Sequence, residues 1–357
     1  MNKGAIKNFA IWARAELIKK IKAESVEENN DSVIEERAYI LFSYFIALRF
    51  IEVNGYLKSI NNSLKKSDKF QNIMDIFSNM RRVFPEVFKK IDFPFSKDMI
   101  DTVWYKINEI TEEDWKKVQI IGWLYQEYNS QKKAEIFAEL KKSKKISREN
   151  ISAVTQLFTP DWIVKYMVEN SLGRFWDDGH RRNRLKKNWK YFISEEKQSP
   201  KVEKYLKDLK NKRSHIYPED IRCIDPCVGT GHILCYLFDL LMDIYMFYEY
   251  DKKDAVKLII EKNLYALDID ERAGKLAYFS VMMKGLEYDE KFLEREYIPR
   301  PNIYTVKSSR WLEENGKEFI REFTGNDSEL EKSVASLISQ LRDGNEYGSI
   351  LEIENIK

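Results

Sequence analysis

Cysteine is scarce in this sequence, three in 357 residues. Three thiols cannot build a disulfide framework, which points to a reducing compartment and a cytoplasmic protein. Glycine and proline are also few, 13 and 8. That excludes collagen-like and low-complexity chains and favours helix. No apolar run is long enough to span a membrane. The longest, Ile233 to Tyr248, is broken by Asp239 and Asp243 and falls short of the ~20 residues a span needs. The first residues, Met-Asn-Lys-Gly with Arg14 and Glu16 soon after, lack the apolar core of a signal peptide. An excess of one charge sign is missing too. There are 60 basic and 58 acidic residues, so any preference for an acidic or basic partner must come from local clustering. What the chain does have is aromatic side chains, 20 Tyr, 20 Phe and 8 Trp. With 43% hydrophobic residues, they exclude global disorder and allow sizeable cores. The length predicts two or three domains.

The first 150 residues read as helix. Ile6, Phe9, Ala10, Ala13, Leu17 and Ile21 recur at three- and four-residue steps, one face of a helix. Glu35 to Val53 is apolar nearly all round, which predicts a buried helix. Asn54 to Lys69 is polar and predicts a loop. Phe84-Pro85 and Phe93-Pro94 punctuate further helices, and Trp115, Ile120, Trp123, Leu124 and Tyr128 mark another amphipathic one. Aromatics at this spacing belong in a core. A basic linker (Lys132, Lys133, Lys141, Lys142, Lys144, Lys145, Arg148) follows. Beyond it, Thr159 is expected to cap a helix with Pro160 in its first turn, ending at Gly173.

Residues 174–213 carry 14 Lys or Arg against 6 Asp or Glu, with Trp176, Trp189, Tyr191, Phe192 and Tyr205 interleaved. Basic residues with aromatics can hold nucleic acid through phosphates and stacking. A solvated helical insertion has the same composition, so both readings stand. His180 and His215 read as surface residues.

After residue 220 the pattern changes to strand, helix, strand, helix, strand, the signature of a parallel α/β sheet. Ile221 to Asp225 reads as a short buried strand, Asn263 to Asp268 as a second, Glu271 to Leu286 as the helix after it, and Asn302 to Val306 as a third strand. Between the first strand and its helix lies Asp225-Pro226-Cys227-Val228-Gly229-Thr230-Gly231-His232. The two glycines permit a sharp turn and close approach of a ligand, and the helix start offers free N–H groups. The dinucleotide fingerprint wants a third glycine where Leu234 stands, which disfavours NAD, and no Gly-Lys-Ser/Thr follows, which excludes a Walker loop. Asp268 ends the second strand, where a carboxylate can accept hydrogen bonds from both ribose hydroxyls. Asp270 can cap the next helix and leave Asp268 to that role. Cys223, Cys227, His232 and Cys235 match no standard zinc spacing, so no metal is expected.

These motifs resemble those of adenine-specific DNA methyltransferases, and most of all the PglX type of BREX phage-defence systems. The Asp-Pro-x-x-Gly-Thr-Gly-His turn resembles their S-adenosylmethionine loop. Leu157-Phe158-Thr159-Pro160 resembles the segment beside the methionine end of the cofactor, and the 264–270 strand resembles their ribose-binding strand. The run Ala153 to Gly173 and the helical first part also look like that family. The resemblance implies S-adenosylmethionine as cofactor, held by Phe158, Thr159, Pro160, Asp225, Pro226, Gly229, Gly231, Asp268 and Ile269. A further cofactor contact is expected near Ser308 and Ser309, where no distinctive motif stands. It implies duplex DNA as substrate, with methyl transfer to the 6-amino group of a flipped-out adenine.

One departure matters. In such enzymes a polar residue, Pro-Pro and an aromatic hold the target amino group and stack on the base. No Pro-Pro pair occurs in these 357 residues. No catalytic residue is therefore assigned. The expected fold is α/β with a large all-α N-terminal region and an incomplete Rossmann-like methyltransferase sheet. The expected division is a helical domain at 1–150, a cofactor-flanking helix with basic insertion at 151–220, and a partial cofactor domain at 221–357. The expected function is the N-terminal portion of an adenine methyltransferase, without turnover alone. A separate polypeptide would supply catalytic and target-recognition regions, alongside other phage-defence proteins. The alternative is a non-catalytic cofactor-binding or scaffold subunit. An unfinished sheet would leave an edge strand uncovered and the C-terminal half less stable than the helical part.

Overall fold

The computed structural model of the chain describes residues 1–24, 30–60, 69–142, 151–180, 184–307, 309–342, 344 and 352–353. It is mostly helical, with one small parallel sheet.

Helix α1 (Lys3–Glu24) buries Ile6, Phe9, Ala10, Ala13, Leu17 and Ile21, the face its spacing predicts. Helix α2 (Asp31–Val53) is started by Asn30, whose side chain accepts the Ser32 N–H, and is buried without interruption from Leu41 to Ile51. The segment expected to loop out carries a helical turn, α3 (Leu57–Ile60), before α4 (Lys69–Val83) begins. Its residues 61–68 lie outside the described residues, as do Lys144, Lys145 and Arg148 of the basic linker. Then come α5 (Lys97–Ile107), α6 (Glu112–Trp115), α7 (Gln119–Tyr128), α8 (Ser130–Leu140) and α9 (Ile151–Thr155). α7 packs along α1 and both touch α2.

Helix α10 (Asp161–Val168) departs from expectation at both ends. Pro160, not Thr159, occupies the cap, and its carbonyl accepts the N–H groups of Ile163 and Val164. The Thr159 carbonyl is already engaged with His232. At the other end Gly173 does not stop the helix. The chain passes through a π-turn (Glu169–Gly173) into α11 (Arg174–Gly179). Gly173 serves close packing instead, because a Cβ there would lie 3.1 Å from the Trp189 ring. Within the basic segment, Trp176 and Trp189 are buried in the core and are unavailable for stacking on bases. His180 stacks on Trp176 at 3.7 Å and is half-buried, which corrects its surface reading. Arg213 pairs with Asp178 at 2.5 Å and Lys186 with Asp177 at 3.0 Å. Helix α12 (Pro200–Arg213) buries none of its residues.

The sheet follows. Strands β1 (Cys223–Asp225), β2 (Leu264–Asp268) and β3 (Asn302–Thr305) are parallel, in the order β1-β2-β3. Helix α13 (His232–Phe247), helix α14 (Lys252–Leu258) and a second π-turn (Ile259–Asn263) connect β1 to β2. Helix α15 (Glu271–Tyr288) connects β2 towards β3. Alternate residues of a strand face opposite sides. Leu264 and Ala266 join the core, each 1% exposed, while Ile224 and Tyr304 are 64% and 59% exposed. The expectation of a buried first strand therefore fails at Ile224, which the described residues leave open on its side of the sheet. Helices α16 (Arg310–Asn315), α17 (Lys317–Phe323) and α18 (Ser328–Gln340) pack chiefly on one another. Among the described residues, no helix is long and apolar enough to cross a membrane.

One apolar core runs from Ile6 in α1 to Leu293 beyond α15. Its junction is Phe279 of α15, whose ring meets Phe50, Phe84 and Phe88 edge-on at 6.4, 5.7 and 5.8 Å. Burying a Phe side chain contributes ~1.5–3 kcal/mol. The helical part is thus held against the very helix that follows Asp268.

Candidate functional site

The turn between β1 and α13 is fixed by the strand beside it. The Val228 N–H donates to the Leu267 carbonyl at 3.0 Å, and the Gly231 N–H to the Val228 carbonyl at 3.0 Å. Gly229 and Gly231 have φ of 54° and 86°, the left-handed region open to glycine. At Gly231 a Cβ would stand 3.0 Å from the Ala277 backbone, so glycine is needed for close packing. At Gly229 a Cβ would meet nothing within 4 Å. That backbone faces open space.

Asp268 stands opposite. One carboxylate oxygen accepts the Gly229 N–H at 2.7 Å and the other accepts the Asp270 N–H at 2.8 Å. Asp270 caps α15 by accepting from Arg272 and Ala273, as its position predicts. Burial pushes the Asp268 carboxyl above the ordinary range, against the pull of those N–H donors. Burial also raises Asp225, and the nearby Asp268 charge adds to it. Asp225 accepts the Cys227 N–H at 3.0 Å through one oxygen, while its other oxygen is buried without a partner.

The third segment comes from before α10. Phe158 lies flat against His232, ring centres 4.5 Å apart and 2° from parallel, and tilts onto Trp123 at 4.8 Å. His232 Nδ1 lies 2.9 Å from the Thr159 carbonyl, an acceptor, so that nitrogen carries the proton. Burial holds the His232 pKa below its usual value and favours the neutral ring. This joins the 157–160 segment to the start of α13.

The three segments line a cleft of about 430 Å³. Phe158, Pro226, Gly229, Asp268 and Ile269 line it, five of the residues singled out from sequence. Asp225 instead lines an adjoining groove beside β1. Thr159 and Pro160 flank the cleft, and Gly231 is packed against α15. Ser309 donates to the Ile338 carbonyl in α18, and Ser308 lies outside the described residues.

The chain is 33% identical to the adenine-specific methyltransferase PglX of Lacticaseibacillus casei (strain Zhang) over 97% of its own length. It is 31% identical to the adenine-specific methyltransferase BrxX of Escherichia coli O9:H4 (strain HS) over 83%. The chain is a homologue of the PglX/BrxX-type adenine-specific methyltransferases. It spans 33% and 27% of the length of those two relatives. No protein-family model matches it. The solved structure of the Type IIL restriction-modification enzyme MmeI in complex with DNA aligns over 97% of this chain and 49% of that one. Identity there is 13% and the TM-score 0.39.

The segments singled out from sequence make up part of the cleft wall. Helix α7 supplies another wall with Gly122, Tyr125 and Gln126. Sequence reading assigned α7 to the core and missed these residues. A signal was present: Gly122, Tyr125, Gln126 and Asn129 share one helical face, and most of that face is small or polar. Gln156, Thr230 and Asp270 also line the cleft and were not singled out as ligand contacts.

Proposed function

We propose that this chain is the cofactor-holding part of an adenine-specific DNA methyltransferase of a BREX-type defence system, and that its cofactor is S-adenosylmethionine. The observation that carries the reading is Asp268, a half-buried carboxylate on a cleft whose facing turn is the Gly229 backbone. The residues present fit such a group. The cleft volume lies within the ~300–1,000 Å³ of small-molecule sites. Asp268 retains lone pairs for a ribose diol after its two N–H contacts. Ile269, 48% exposed, offers an apolar side to an adenine ring. Gly229 leaves room for close approach, and Phe158 supplies an aromatic wall near the methionine end.

When bound, the cofactor would supply an electrophilic methyl group. The chain's own contribution is to hold and orient it, and orientation is a large part of such catalysis. The groups that would grip the acceptor nitrogen have no counterpart in residues 1–357, so this portion is proposed to bind cofactor without completing transfer. Duplex DNA is the proposed substrate. Exposed Lys187, Lys190, Lys201, Lys204, Lys207 and Lys212 of the basic segment support phosphate contact. A cytoplasmic setting, with a polypeptide that completes the acceptor site and other defence proteins as partners, belongs to the same proposal.

Titration calorimetry of the chain with S-adenosylmethionine tests it. Saturable binding that weakens in Asp268→Ala is the expected result. A folded chain that binds none would overturn the reading.

A further inference from the structure

We propose that Tyr125 of α7 is a positioning residue for the ribose carboxylate Asp268 and acts through Asp270; this rests on reading the cleft as an S-adenosylmethionine site. One face of α7 reaches every segment of the cleft. Gly122 lets the helix approach Phe158 and Thr230 so closely that a Cβ would overlap both. The Gln126 side-chain oxygen accepts the Phe158 N–H at 2.8 Å, and the Asn129 amide donates to Gln156 at 3.0 Å. Tyr125 completes the face. Its hydroxyl donates to Asp270 Oδ2 at 2.5 Å.

That contact is aimed at the acid. Asp270 divides its carboxylate, one oxygen capping α15 and the other accepting the hydrogen bond from the Tyr125 hydroxyl. Its own N–H then holds Asp268 at 2.8 Å. Tyr125 is 2% exposed, and burial keeps its phenol pKa well above the ordinary value, so it remains a donor at any working pH. The ring is wedged edge-on against Tyr39 at 5.9 Å. Tyr39 in turn carries the Arg272 guanidinium at 4.6 Å, and Arg272 pairs with Glu36 at 2.6 Å. The loop 268–272 is therefore held from the helical side at two points. Cofactor geometry on this reading is set by the helical region as well as by the sheet.

The test is a ligand–mutant cycle on the full chain. Binding of S-adenosylhomocysteine and of its 2′,3′-dideoxy analogue is measured by calorimetry for wild type and Tyr125→Phe. The ring and its packing persist in the variant, and only the hydroxyl is lost. Binding of the ribose ligand is expected to weaken about tenfold, and that of the dideoxy ligand less than about twofold. A wall that merely fills space would weaken both equally. Equal loss, or no loss, overturns the proposal. Asp270→Ser provides a second route, because serine keeps the cap and is too short to meet Tyr125. It should give the same selective loss. A wild-type chain that binds neither ligand overturns the cofactor reading itself, an outcome distinct from equal loss in the variant.

Discussion

Replacing Gly122 by alanine separates two accounts of α7. By helix propensity alone, alanine stabilises a helix interior over glycine by ~1 kcal/mol. The packing opposes this. The added Cβ would lie 2.0 and 2.5 Å from two Phe158 ring carbons and 2.6 Å from the Thr230 hydroxyl oxygen. Comfortable carbon contacts begin at ~3.5 Å, so ring and helix must separate by ~1.5 Å. Phe158 cannot simply swing away. It is stacked on His232, tilted onto Trp123, and tied by its N–H to Gln126. Overpacking of this kind costs ~1–3 kcal/mol. The net expectation is a destabilisation of about 0–2 kcal/mol, read as a melting temperature no higher than wild type. A wall displaced by over an ångström should also weaken S-adenosylmethionine binding at least ~tenfold. Calorimetry measures both quantities. A higher melting temperature with unchanged affinity would refute the argument and leave Gly122 as an ordinary weak helical residue.

Three further outcomes are expected. S-adenosylmethionine affinity should fall on acidification at a pH above ~3.9, the ordinary aspartate range, because burial raises Asp268 and a protonated carboxyl loses acceptor capacity. The sign for unliganded stability is opposite: a raised carboxyl favours the fold most below the unfolded pKa, and that contribution is lost as pH rises through the folded one. Asp225 and Asp270 face the same carboxylate, so the decisive control is Asp268→Asn, whose residual affinity should be flat over that range. Glu169→Ala should destabilise the chain by ~3 kcal/mol or more in urea unfolding, since that buried carboxylate accepts the Tyr191 N–H at 2.5 Å and the Tyr236 hydroxyl at 2.8 Å. An unchanged midpoint would mean that these bonds add nothing. Hydrogen exchange should be fastest in α16–α18, which pack chiefly on one another, and equal protection across α2 and α18 would contradict this.

Part of the candidate cleft could be read in sequence because its chemistry is local. The Asp268 contact with the Asp270 N–H and the Asp270 cap lie within a few residues of the bonds that define them, and two glycines mark the turn, although the bond that holds Gly229 to Asp268 crosses 39 residues. Phe158 was legible through family resemblance. Helix α7 was not, because its contacts with Phe158 and Asp270 span 32 and 145 residues of chain. Amphipathic spacing identifies a buried face without saying what it is buried against. The same limit explains Gly173. Its sequence context suggests a helix end, and a tryptophan sixteen residues later decides otherwise. Ile224 failed for a related reason, since an apolar strand residue is buried only if something covers its side of the sheet.

The π-turn at Glu169–Gly173 carries a consequence for the gene. A π-turn is a helix holding one residue more than its regular winding accommodates. Deleting a single codon there would restore an unbroken α-helix from Asp161 onward. The wide turn winds its residues through about the angle that one residue fewer covers in a regular helix, so the side chains from Arg174 to Gly179 would keep their facing. Trp176 would stay in the core, and the Asp177 and Asp178 carboxylates would stay turned toward Lys186 and Arg213. A one-codon deletion in this stretch should therefore be tolerated better than one elsewhere in α10 or α11, where the same loss turns everything beyond it by ~100°.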